Sequence, residues 1–526
     1  MAIVPFMMRI APHVGMVDLP DPRKVHTVPI PRVGGIGIVI GAIIPILLWL
    51  PFEPLITSYI FGCTVLLVFG VWDDSCELGH YVKFVGQFLS VLPVVFYADM
   101  YVTELPLVGD IPDLLGQIFT VIAMVGMINA TNHSDGLDGL AGGLSLLSLA
   151  CIGYLMFLVG DTWMVLLVVS VMGGVFGFLR FNSHPARVFM GDGGSQFLGF
   201  SLGFLAIVLT QKSNPALSPA LPLLLLGLPI ADIIAVFYLR ISGGMNWFKA
   251  TRNHIHHRLL DLGFTHYESV IIIYLVQMFL ILCSILFMYE LDLLILSIYF
   301  GVIFSVFASL TILERRGYKL TRADGDSAID GFINKKLKSE IVLKLLGNYV
   351  VLSVSVVFLS LSFIVDKVSS DIGYLSIFLV ASCLIVLVSV KKYIYVLMKA
   401  VLYVTAAMIV YLDYQYLNGN DSLVYNIEIV IYALMAVAVV LVIKFDDDVD
   451  FTMSPLDYLM AIIVIVAFTV LSLSAESSVY GSYIVKLILL FYGCELIEKR
   501  NARGFKTVSF VSMLTLLVLA YKMAVG

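Results

Sequence analysis

The chain has 526 residues, of which 60% are hydrophobic and 13% charged, and its formal net charge is -6. A mean hydropathy of +1.01 excludes a soluble globular enzyme, and charges confined to short loops give no indication of a nucleic-acid partner. The apolar residues come in runs of roughly 17 to 22, the length that crosses a bilayer as a helix. The composition therefore predicts an all-α, polytopic transmembrane helical bundle embedded in a lipid bilayer.

The apolar runs predict about ten spans, a polar segment, and about seven further spans. The first spans are expected at 34–51, 54–72, 81–99, 114–131, 139–159, 163–180, 195–211, 217–239, 268–290 and 292–313. The later ones are expected at 348–366, 372–390, 394–412, 425–443, 456–474, 479–495 and 507–524. This pattern divides the chain into a core, 1–313, a cytoplasmic linker, 314–347, and an additional membrane region, 348–526.

The N-terminus and the cysteines carry no processing or metal signal. Met1 to Ile10 is a short apolar patch without a basic region or cleavage site, so no cleavable signal peptide is expected. The six cysteines are scattered and form no CxxC pair, so neither disulfides nor a zinc site are predicted.

Basic residues are distributed unevenly between alternate loops of the core. One set of loops holds Lys212 alone. The other set holds Arg9, Arg23, Lys24, Arg32, Lys83, Arg180, Arg187, Arg240, Lys249, Arg252 and Arg258. Because Lys and Arg accumulate in cytoplasmic loops, the basic set is predicted to face the cytoplasm. These loops also contain the histidines, so the polar chemistry is predicted on that face.

The first two cytoplasmic loops each allow two interpretations. Residues 18–35 combine Arg23, Lys24 and His26 with four prolines, which suits either a cationic substrate loop or a positive-inside anchor. Asp73 and Asp74 end an apolar helix, where the helix dipole opposes negative charge. They indicate either a nearby cation or a solvated helix end.

The third loop, "NATNHSDGLDGLAGG" at 129–143, has a more specific composition. Asn132, Asp135 and Asp138 stand among four glycines where the next helix begins. Backbone N–H groups at a helix N-terminus bind phosphate, and Asn and Asp oxygens are hard ligands for magnesium. Simple helix capping is the alternative, although a cap needs only one of these side chains.

The fourth loop, at 181–200, also combines an acidic residue with glycines at the start of a helix. Asp192 lies between two glycines, and Arg187 and Phe189 come just before it. These residues suit a metal and phosphate site, whereas an acidic turn between two spans is the alternative.

The fifth loop, "RNHIHHRLLDLGF" at 252–264, holds His254, His256 and His257. No HExxH or similar spacing accompanies them, which argues against zinc. Phosphate binding beside Arg252 is favoured over a merely solvated loop.

Taken together, one membrane face carries five carboxylates, two glycine-rich turns, three clustered histidines and several basic residues. Carboxylates in that number hold a divalent cation, and the basic and glycine-rich parts hold phosphates. The inventory predicts magnesium-dependent phosphoryl transfer at the bilayer surface, with one soluble and one lipid substrate.

The ordered motifs "WDD", "NATNHSDGLDGLAGG", "VFMGDGGS" and "RNHIHHRLLDLGF" resemble those of the polyprenyl-phosphate N-acetylhexosamine-1-phosphate transferases, glycosyltransferase family 4, over roughly residues 18 to 313. The resemblance implies that undecaprenyl phosphate attacks the sugar-bound phosphorus of a UDP-sugar and releases UMP. It also implies a bacterial inner membrane enzyme with a cytoplasmic active site. The HxHH motif resembles the branch that uses UDP-N-acetylglucosamine and begins O-antigen or cell-wall polymers. Another UDP-N-acetylhexosamine or UDP-MurNAc-pentapeptide is the alternative.

The resemblance implies roles for the acidic residues. Asp192 matches the principal ligand of Mg²⁺, or alternatively Mn²⁺, and Asn132 its helper. Asp73 and Asp74 match a pair that either deprotonates the lipid phosphate or assists the metal. Asp135 and Asp138 match positions near the nucleotide and diphosphate.

The remaining implied roles concern substrate binding and charge. Phe189 matches an aromatic residue that stacks on uracil, and Arg187 and Arg252 match diphosphate partners. His254, His256 and His257 are expected to stabilise charge near the phosphates. The other predicted substrate-binding residues are Arg23, Lys24, His26 and Lys83.

The chain departs from the family pattern at both ends. Family members have a complete span before the first loop. Met1 to Ile10 is too short to cross a bilayer of about 30 Å at a rise of about 1.5 Å per residue. We therefore expect a late recorded start or a missing first helix. Residues 348–526 carry no usable motif, which leaves a lipid-handling domain, a structural collar or a homodimer surface.

A secondary transporter is the competing class, but it would place acidic residues at midplane in broken helices and show internal repeats.

Overall fold

The computed structural model describes residues 3–20, 28–242, 244, 253–320, 340–365, 367–389, 394–417, 423–445, 475–500 and 502–525. The predicted span 456–474 and the residues Arg23, Lys24, His26, Lys249 and Arg252 lie outside the described residues. The described residues form two compact units, the first within Met1–Arg322 and the second from residue 340 onwards.

The first unit is a helical bundle with two small antiparallel strand pairs at its ends. Its helices are α1 (Ile3–Ile10), α2 (Gly34–Trp49), α3 (Pro54–Cys76), α4 (His80–Phe96), α5 (Asp113–Ser134), α6 (Leu140–Leu158), α7 (Thr162–Asn182), α8 (Gly191–Val208), α9 (Leu221–Leu225), α10 (Gly227–Ser242), α11 (Ile255–Asp261), α12 (His266–Leu286) and α13 (Asp292–Arg315). Strand β1 (Val17–Asp18) pairs with β2 (Ile30–Pro31), and β3 (Glu104–Leu105) pairs with β4 (Gly109–Asp110).

The second unit is also helical. Its described helices are α14 (Glu340–Ile364), α15 (Ser370–Ser389), α16 (Ile394–Leu417), α17 (Leu423–Phe445), α18 (Ala475–Arg500) and α19 (Ala502–Val525). Helix α14 begins inside the segment predicted as linker, because "EIVLKLLGN" continues the helical pattern of the apolar run behind it. Across both units, eleven of the described helices are long and apolar enough to cross a membrane, which confirms the predicted class of polytopic α-helical membrane protein.

The predicted span 217–239 is wrong as one continuous helix. Pro222, Gly227 and Pro229 interrupt it, and the chain forms the short helix α9 followed by α10. Buried side chains satisfy the backbone groups freed by this break. Gln277 donates to the Leu225 carbonyl at 2.8 Å and accepts the Leu228 N–H at 3.3 Å, and Tyr299 donates at 3.1 Å to the carbonyl of Gly227, the first residue of α10. A broken helix is tolerated inside a bundle when neighbouring helices supply such partners.

Helix α8 is the buried centre of the first unit, where it packs against α2, α3 and α5. Glycines allow the backbones to approach closely. A Cβ atom at Gly70 of α3 would lie 2.2 Å from the Gly193 Cα, and one at Gly35 of α2 would lie 2.2 Å from the Gly194 nitrogen. Small residues at helix contacts are the usual means of close packing in membranes. The N-terminus of α8 is therefore fixed by backbone contact on two sides.

The helices bring two chemically different sets of loops to opposite ends of the unit. At one end, Ser213 donates to Asp161 at 2.6 Å and the Leu107 N–H donates to Asp292 at 3.0 Å, which ties the loops to each other. The other end holds the C-termini of α3, α5 and α7 and the N-termini of α4, α6 and α8. This second end carries the candidate site and is called the site end.

Candidate active site

Two carboxylates and one lysine meet at the site end. Asp73 lies in the last turn of α3, Lys83 in the first turn of α4 and Asp192 in the first turn of α8. The Lys83 Nζ is 2.7 Å from Asp73 Oδ2 and 2.7 Å from Asp192 Oδ2. Asp73 and Asp192 are 119 positions apart in the sequence, so only the fold brings them to one cation. These residues, together with Asn132, are called the carboxylate–lysine cluster.

Amide side chains hold Asp192 from the other side. Asn132, in the last turn of α5, donates its Nδ2 to Asp192 Oδ1 at 3.2 Å and to Ser195 Oγ at 2.8 Å. Gln196 donates to Asp192 Oδ2 at 3.4 Å. Asn132 thus lies beside Asp192 and acts here as a donor that orients it, and its role as a helper of the metal ligand stays a prediction.

Asp74 has a different position from Asp73. Its Oδ1 accepts the backbone N–H of Asp192 at 3.1 Å, and its Oδ2 accepts that of Gly193 at 3.4 Å. A carboxylate at the start of a helix satisfies unpaired N–H groups and interacts favourably with the helix dipole. The structure therefore separates the predicted acidic pair, because Asp73 contacts Lys83 whereas Asp74 caps α8 and positions Asp192.

Asp135 lies next to the cluster at the end of α5. It is partly buried, and burial followed by the negative charge of Asp192 raises its pKa to about 7. A carboxyl group with this pKa exchanges a proton near neutral pH. Asp135 therefore has the electrostatic environment of an acid–base group.

Asp138 contacts His184, Ala186 and His266. Its Oδ2 is 2.7 Å from His184 Nδ1 and accepts the Ala186 N–H at 3.0 Å, while its own N–H donates to His266 Nε2 at 3.0 Å. Ligating atoms of Asp138, His184 and His266 lie within 4.8 Å of one another, as a metal site would require. In the structure these atoms form hydrogen bonds to neighbouring groups, and Asp138 joins the loop after α7 to the start of α12.

The histidine loop is anchored by a residue that the sequence motifs did not indicate. Asp232, on α10, accepts the Ile255 N–H at 2.9 Å and lies 2.7 Å from His254 Nδ1, with both side chains buried. This contact holds the His254 ring at its Nδ1, so the other ring nitrogen, Nε2, points away from Asp232. The available signal was an acidic residue inside the apolar run 217–239, where such a residue is costly and indicates function.

His256 is the most buried histidine of the motif. It is 3% exposed and packs against Gly136, where an added Cβ would lie 2.2 Å from its Nε2. Burial, reinforced by His257, lowers the pKa of His256 to about 3. His256 is therefore neutral at physiological pH and joins the histidine loop to the glycine-rich turn at 136, while the His254 ring stacks on His133 at 5.5 Å.

The predicted substrate-binding residues are only partly described. Arg187 is exposed at the site end, and Phe189 is half-buried, with its backbone N–H donating to the Pro31 carbonyl at 2.8 Å. This bond attaches the loop before α8 to the strand pair β1–β2. Arg23, Lys24, His26 and Arg252 lie outside the described residues, so their roles stay predictions.

The fold and the site together define a class of protein. It is an integral membrane protein whose helix ends carry a polar site of carboxylates, a lysine and histidines. Residues 56–210 match the family described as glycosyl transferase family 4. The chain belongs to this family, and it is a transferase.

Three relatives show the extent of the similarity. The probable undecaprenyl-phosphate N-acetylglucosaminyl 1-phosphate transferase of Bacillus subtilis (strain 168) is 34% identical over 282 residues, 52% of this chain and 78% of the relative. The undecaprenyl-phosphate alpha-N-acetylglucosaminyl 1-phosphate transferase of Haemophilus influenzae is 32% identical over 276 residues, 51% of this chain and 78% of the relative. The enzyme of that name from Escherichia coli O157:H7 is 29% identical over 276 residues, 51% of this chain and 75% of the relative. These matches cover the N-terminal half, so the C-terminal region is additional to what the relatives share.

Proposed function

We propose that the chain transfers N-acetylglucosamine 1-phosphate from UDP-N-acetylglucosamine to undecaprenyl phosphate, giving undecaprenyl-diphospho-N-acetylglucosamine and UMP. The observation that carries this proposal is the carboxylate–lysine cluster, with Lys83 2.7 Å from both Asp73 and Asp192 at the ends of membrane helices. The names of relatives 29–34% identical to the chain support undecaprenyl phosphate as the acceptor and N-acetylglucosamine 1-phosphate as the transferred group. The proposed setting is the cytoplasmic face of a bacterial inner membrane, in synthesis of a cell-surface polysaccharide.

The donor set of the site suits a divalent cation. Carboxylate oxygens of Asp73 and Asp192 face a shared positive group, the Lys83 ammonium, which marks a position where a cation is stabilised. Hard oxygen ligands of this kind are those that Mg²⁺ and Mn²⁺ prefer. Asp192 and Asp73 would hold the ion, and Asn132 would orient Asp192. When bound, the ion would neutralise charge on phosphate oxygens.

The chain's own residues supply the remaining requirements of the reaction. Lys83 and Arg187 place positive charge at the site end, which offsets the repulsion between two phosphate substrates. Asp135, whose pKa is raised to about 7, can accept the proton of the lipid phosphate when its carboxylate is ionised. A phosphate oxygen of the lipid then forms a bond to the sugar-bound phosphorus, and the bond from that phosphorus to UMP breaks.

The proposal is tested by incubating the purified full chain with undecaprenyl phosphate and one UDP-sugar at a time. We expect UMP release and a lipid-linked product with UDP-N-acetylglucosamine, and little with UDP-MurNAc-pentapeptide. Preference for another UDP-N-acetylhexosamine would overturn the proposed sugar. Absence of UMP release with every UDP-sugar, in a folded protein supplied with Mg²⁺, would overturn the proposed reaction.

A further inference from the structure

Three ionisable side chains from three helices meet inside the second unit. Lys486 of α18 lies with its Nζ 2.6 Å from Asp413 Oδ2 of α16 and 3.1 Å from Glu428 Oε2 of α17. Asp413 is 1% exposed, Lys486 4% and Glu428 7%. Ionisable groups inside membrane helices are costly and are retained mainly for function. These three residues are called the Lys486 cluster.

The charges of the Lys486 cluster do not balance when all three groups are ionised. Two carboxylates and one ammonium leave one negative charge. Among the described residues, Lys486 is the cation that contacts both carboxyl groups. The other oxygens, Asp413 Oδ1 and Glu428 Oε1, are buried and have no hydrogen-bond partner in the described part of the chain.

Asp413 and Glu428 contact the same Lys486 Nζ, at 2.6 and 3.1 Å, so their contacting oxygens lie no more than about 6 Å apart. Two ionised carboxylates repel at such a distance, and the repulsion is strong away from water. Among the described residues, the aromatic rings of Tyr432 and Tyr483 lie against the Lys486 ammonium, at 5.6 and 5.3 Å, and both are uncharged. The Tyr432 hydroxyl is itself buried without a partner among the described residues.

A second ion pair of the same unit gives a comparison in which the charges balance. Lys399 lies 2.6 Å from Glu498, one acid to one base, and the side chains are 33% and 13% exposed. The Lys486 cluster differs in having a surplus acid and in being closed to solvent. The surplus acid is therefore the feature that requires a ligand.

We propose that the Lys486 cluster binds one exchangeable proton between Asp413 and Glu428, which makes the second unit a proton-responsive membrane module. A shared proton converts the repelling pair into a hydrogen bond and brings the cluster to zero net charge. A metal ion fits less well, because it needs several oxygen ligands and the carbonyls of the surrounding helices are used in helix hydrogen bonds. This function is separate from the transferase reaction proposed for the first unit.

The two carboxyl groups of the cluster lie near one end of their helices. Asp413 lies four residues before the end of α16, and Glu428 five residues after the start of α17. At a rise of about 1.5 Å per residue, the carboxyls are about 6–8 Å from those helix ends. Exchange with the aqueous phase at that end of the helices is therefore expected.

Infrared difference spectroscopy of the full chain in lipid vesicles tests the proposal. We expect the carbonyl stretch of a protonated carboxyl group in the wild-type protein, shifted in D₂O and lost as the pH is raised. Asp413→Asn and Glu428→Gln should each remove one component of this band, because one remaining carboxylate pairs with Lys486 and needs no proton, whereas the component from Asp135 should persist in both variants. The matched control Glu498→Gln should retain both components. A band that is the same in wild type, Asp413→Asn and Glu428→Gln would overturn the proposal, and so would loss of the cluster's component on adding Na⁺ at constant pH.

Carbodiimide labelling provides a second test that needs no variant. Dicyclohexylcarbodiimide reacts with protonated carboxyl groups in apolar surroundings, and the modified residue is found by mass spectrometry. Labelling of Asp413 or Glu428 that declines at high pH supports the proposal. Labelling of neither residue contradicts it, even where the amide variants fail to fold. Both measurements are independent of transferase activity.

Discussion

Lys83 is the residue that balances charge at the candidate active site. It stands between Asp73 and Asp192, and the three side chains come from three different helices. Without the ammonium, two carboxylates would face each other in a partly buried position. Removing one partner of such a group lowers the free energy of unfolding by more than the intact interaction contributes, because the remaining charges are left uncompensated.

We therefore predict that Lys83→Met both lowers the stability of the protein and abolishes UMP release. The expected loss in the free energy of unfolding is about 1–3 kcal/mol, less than for a fully buried pair because the lysine is partly accessible to water. Lys212→Met is the matched control, since Lys212 is exposed at the opposite end. Thermal melting in detergent and UMP release measure the two effects. Unchanged melting and activity in Lys83→Met would contradict the prediction.

His256 gives the protein a pH-dependent stability term. Its folded-state pKa of about 3 lies below its ordinary value of 6.5 because of burial. The unfolded chain takes up a proton below pH 6.5 and the folded chain does not, so this stabilising contribution is present above pH 6.5 and is lost as the pH falls toward 3. The raised pKa of Asp135 has the opposite effect on the free energy of unfolding. Its stabilising contribution is present at low pH and is lost as the pH rises through about 7.

The contribution of His256 is isolated by comparison with His256→Gln. We predict that the difference in unfolding free energy between wild type and variant shrinks by about 1.4 kcal/mol for each pH unit below 6. Melting curves recorded in detergent across this range measure the slope. His13→Gln, which changes an exposed histidine, is the control. Parallel pH profiles for wild type and His256→Gln would show that His256 is not held neutral.

The site residues were predictable from sequence to different degrees. Asp192 and Asn132 were indicated by glycine-rich turns at helix ends, because that context suits phosphate and metal chemistry. Their contact with each other and with Lys83 could not be predicted, since it depends on how helices far apart in sequence pack. Asp232 was missed because it lies within an apolar run and matches no motif.

At the scale of helices, α8 positions the site. Asp74 caps its first turn, and Gly35 and Gly70 allow α2 and α3 to contact its backbone. Asp192 lies in that same turn, so any displacement of α8 moves the carboxylate away from Lys83. The geometry of the site therefore depends on helix packing as well as on its polar residues.

We predict that Gly70→Ala lowers both stability and activity. The added Cβ would lie 2.2 Å from the Gly193 Cα, and backbone atoms cannot rotate out of the way. Overpacking of this kind costs about 1–3 kcal/mol. Gly173→Ala is the control, because an added Cβ at that helical glycine meets no atom within 4 Å. Equal melting temperatures and rates for the two variants would show that the α3–α8 contact does not position Asp192.

The helices themselves were mostly predictable, because long apolar runs in a chain of this composition leave few alternatives. The break between α9 and α10 was not, although Pro222, Gly227 and Pro229 were visible. Whether such residues kink a span or end it depends on partners from other helices. Here Gln277 and Tyr299 are those partners, and their positions follow only from the fold.

At the scale of the whole molecule, the chain consists of a transferase half and an additional membrane region. The transferase half was predictable because four ordered motifs resemble one family. The second unit has no motif, and its role could not be predicted from loops. Its informative residues are Asp413, Glu428 and Lys486, which were visible as ionisable residues in or beside predicted spans, but only the fold shows that they meet.

The orientation of the molecule can be tested with its own cysteines. Cys76 is exposed at the end of α3 and the other five cysteines are buried. Since the site end is proposed to face the cytoplasm, we predict that a membrane-impermeant maleimide labels Cys76 in inverted vesicles and not in intact spheroplasts.

A cysteine at the opposite end provides the matched control. Val108 is 69% exposed between β3 and β4, and Val108→Cys in a Cys76→Ser background should give the reverse pattern. Labelling of Cys76 in spheroplasts would place the site on the outer face, where the UDP-sugar is not supplied.

The central claim is that the carboxylate–lysine cluster performs phosphoryl transfer, and it is tested most directly by UMP release from the purified Asp192→Asn variant. Asp161→Asn is the matched control, because Asp161 caps α7 at the opposite end, where it accepts from Met164 at 3.2 Å and from Ser213 at 2.6 Å. We predict that Asp192→Asn loses on the order of 100-fold or more in rate while remaining folded, and that Asp161→Asn keeps its activity. A near-normal rate in folded Asp192→Asn would contradict the account.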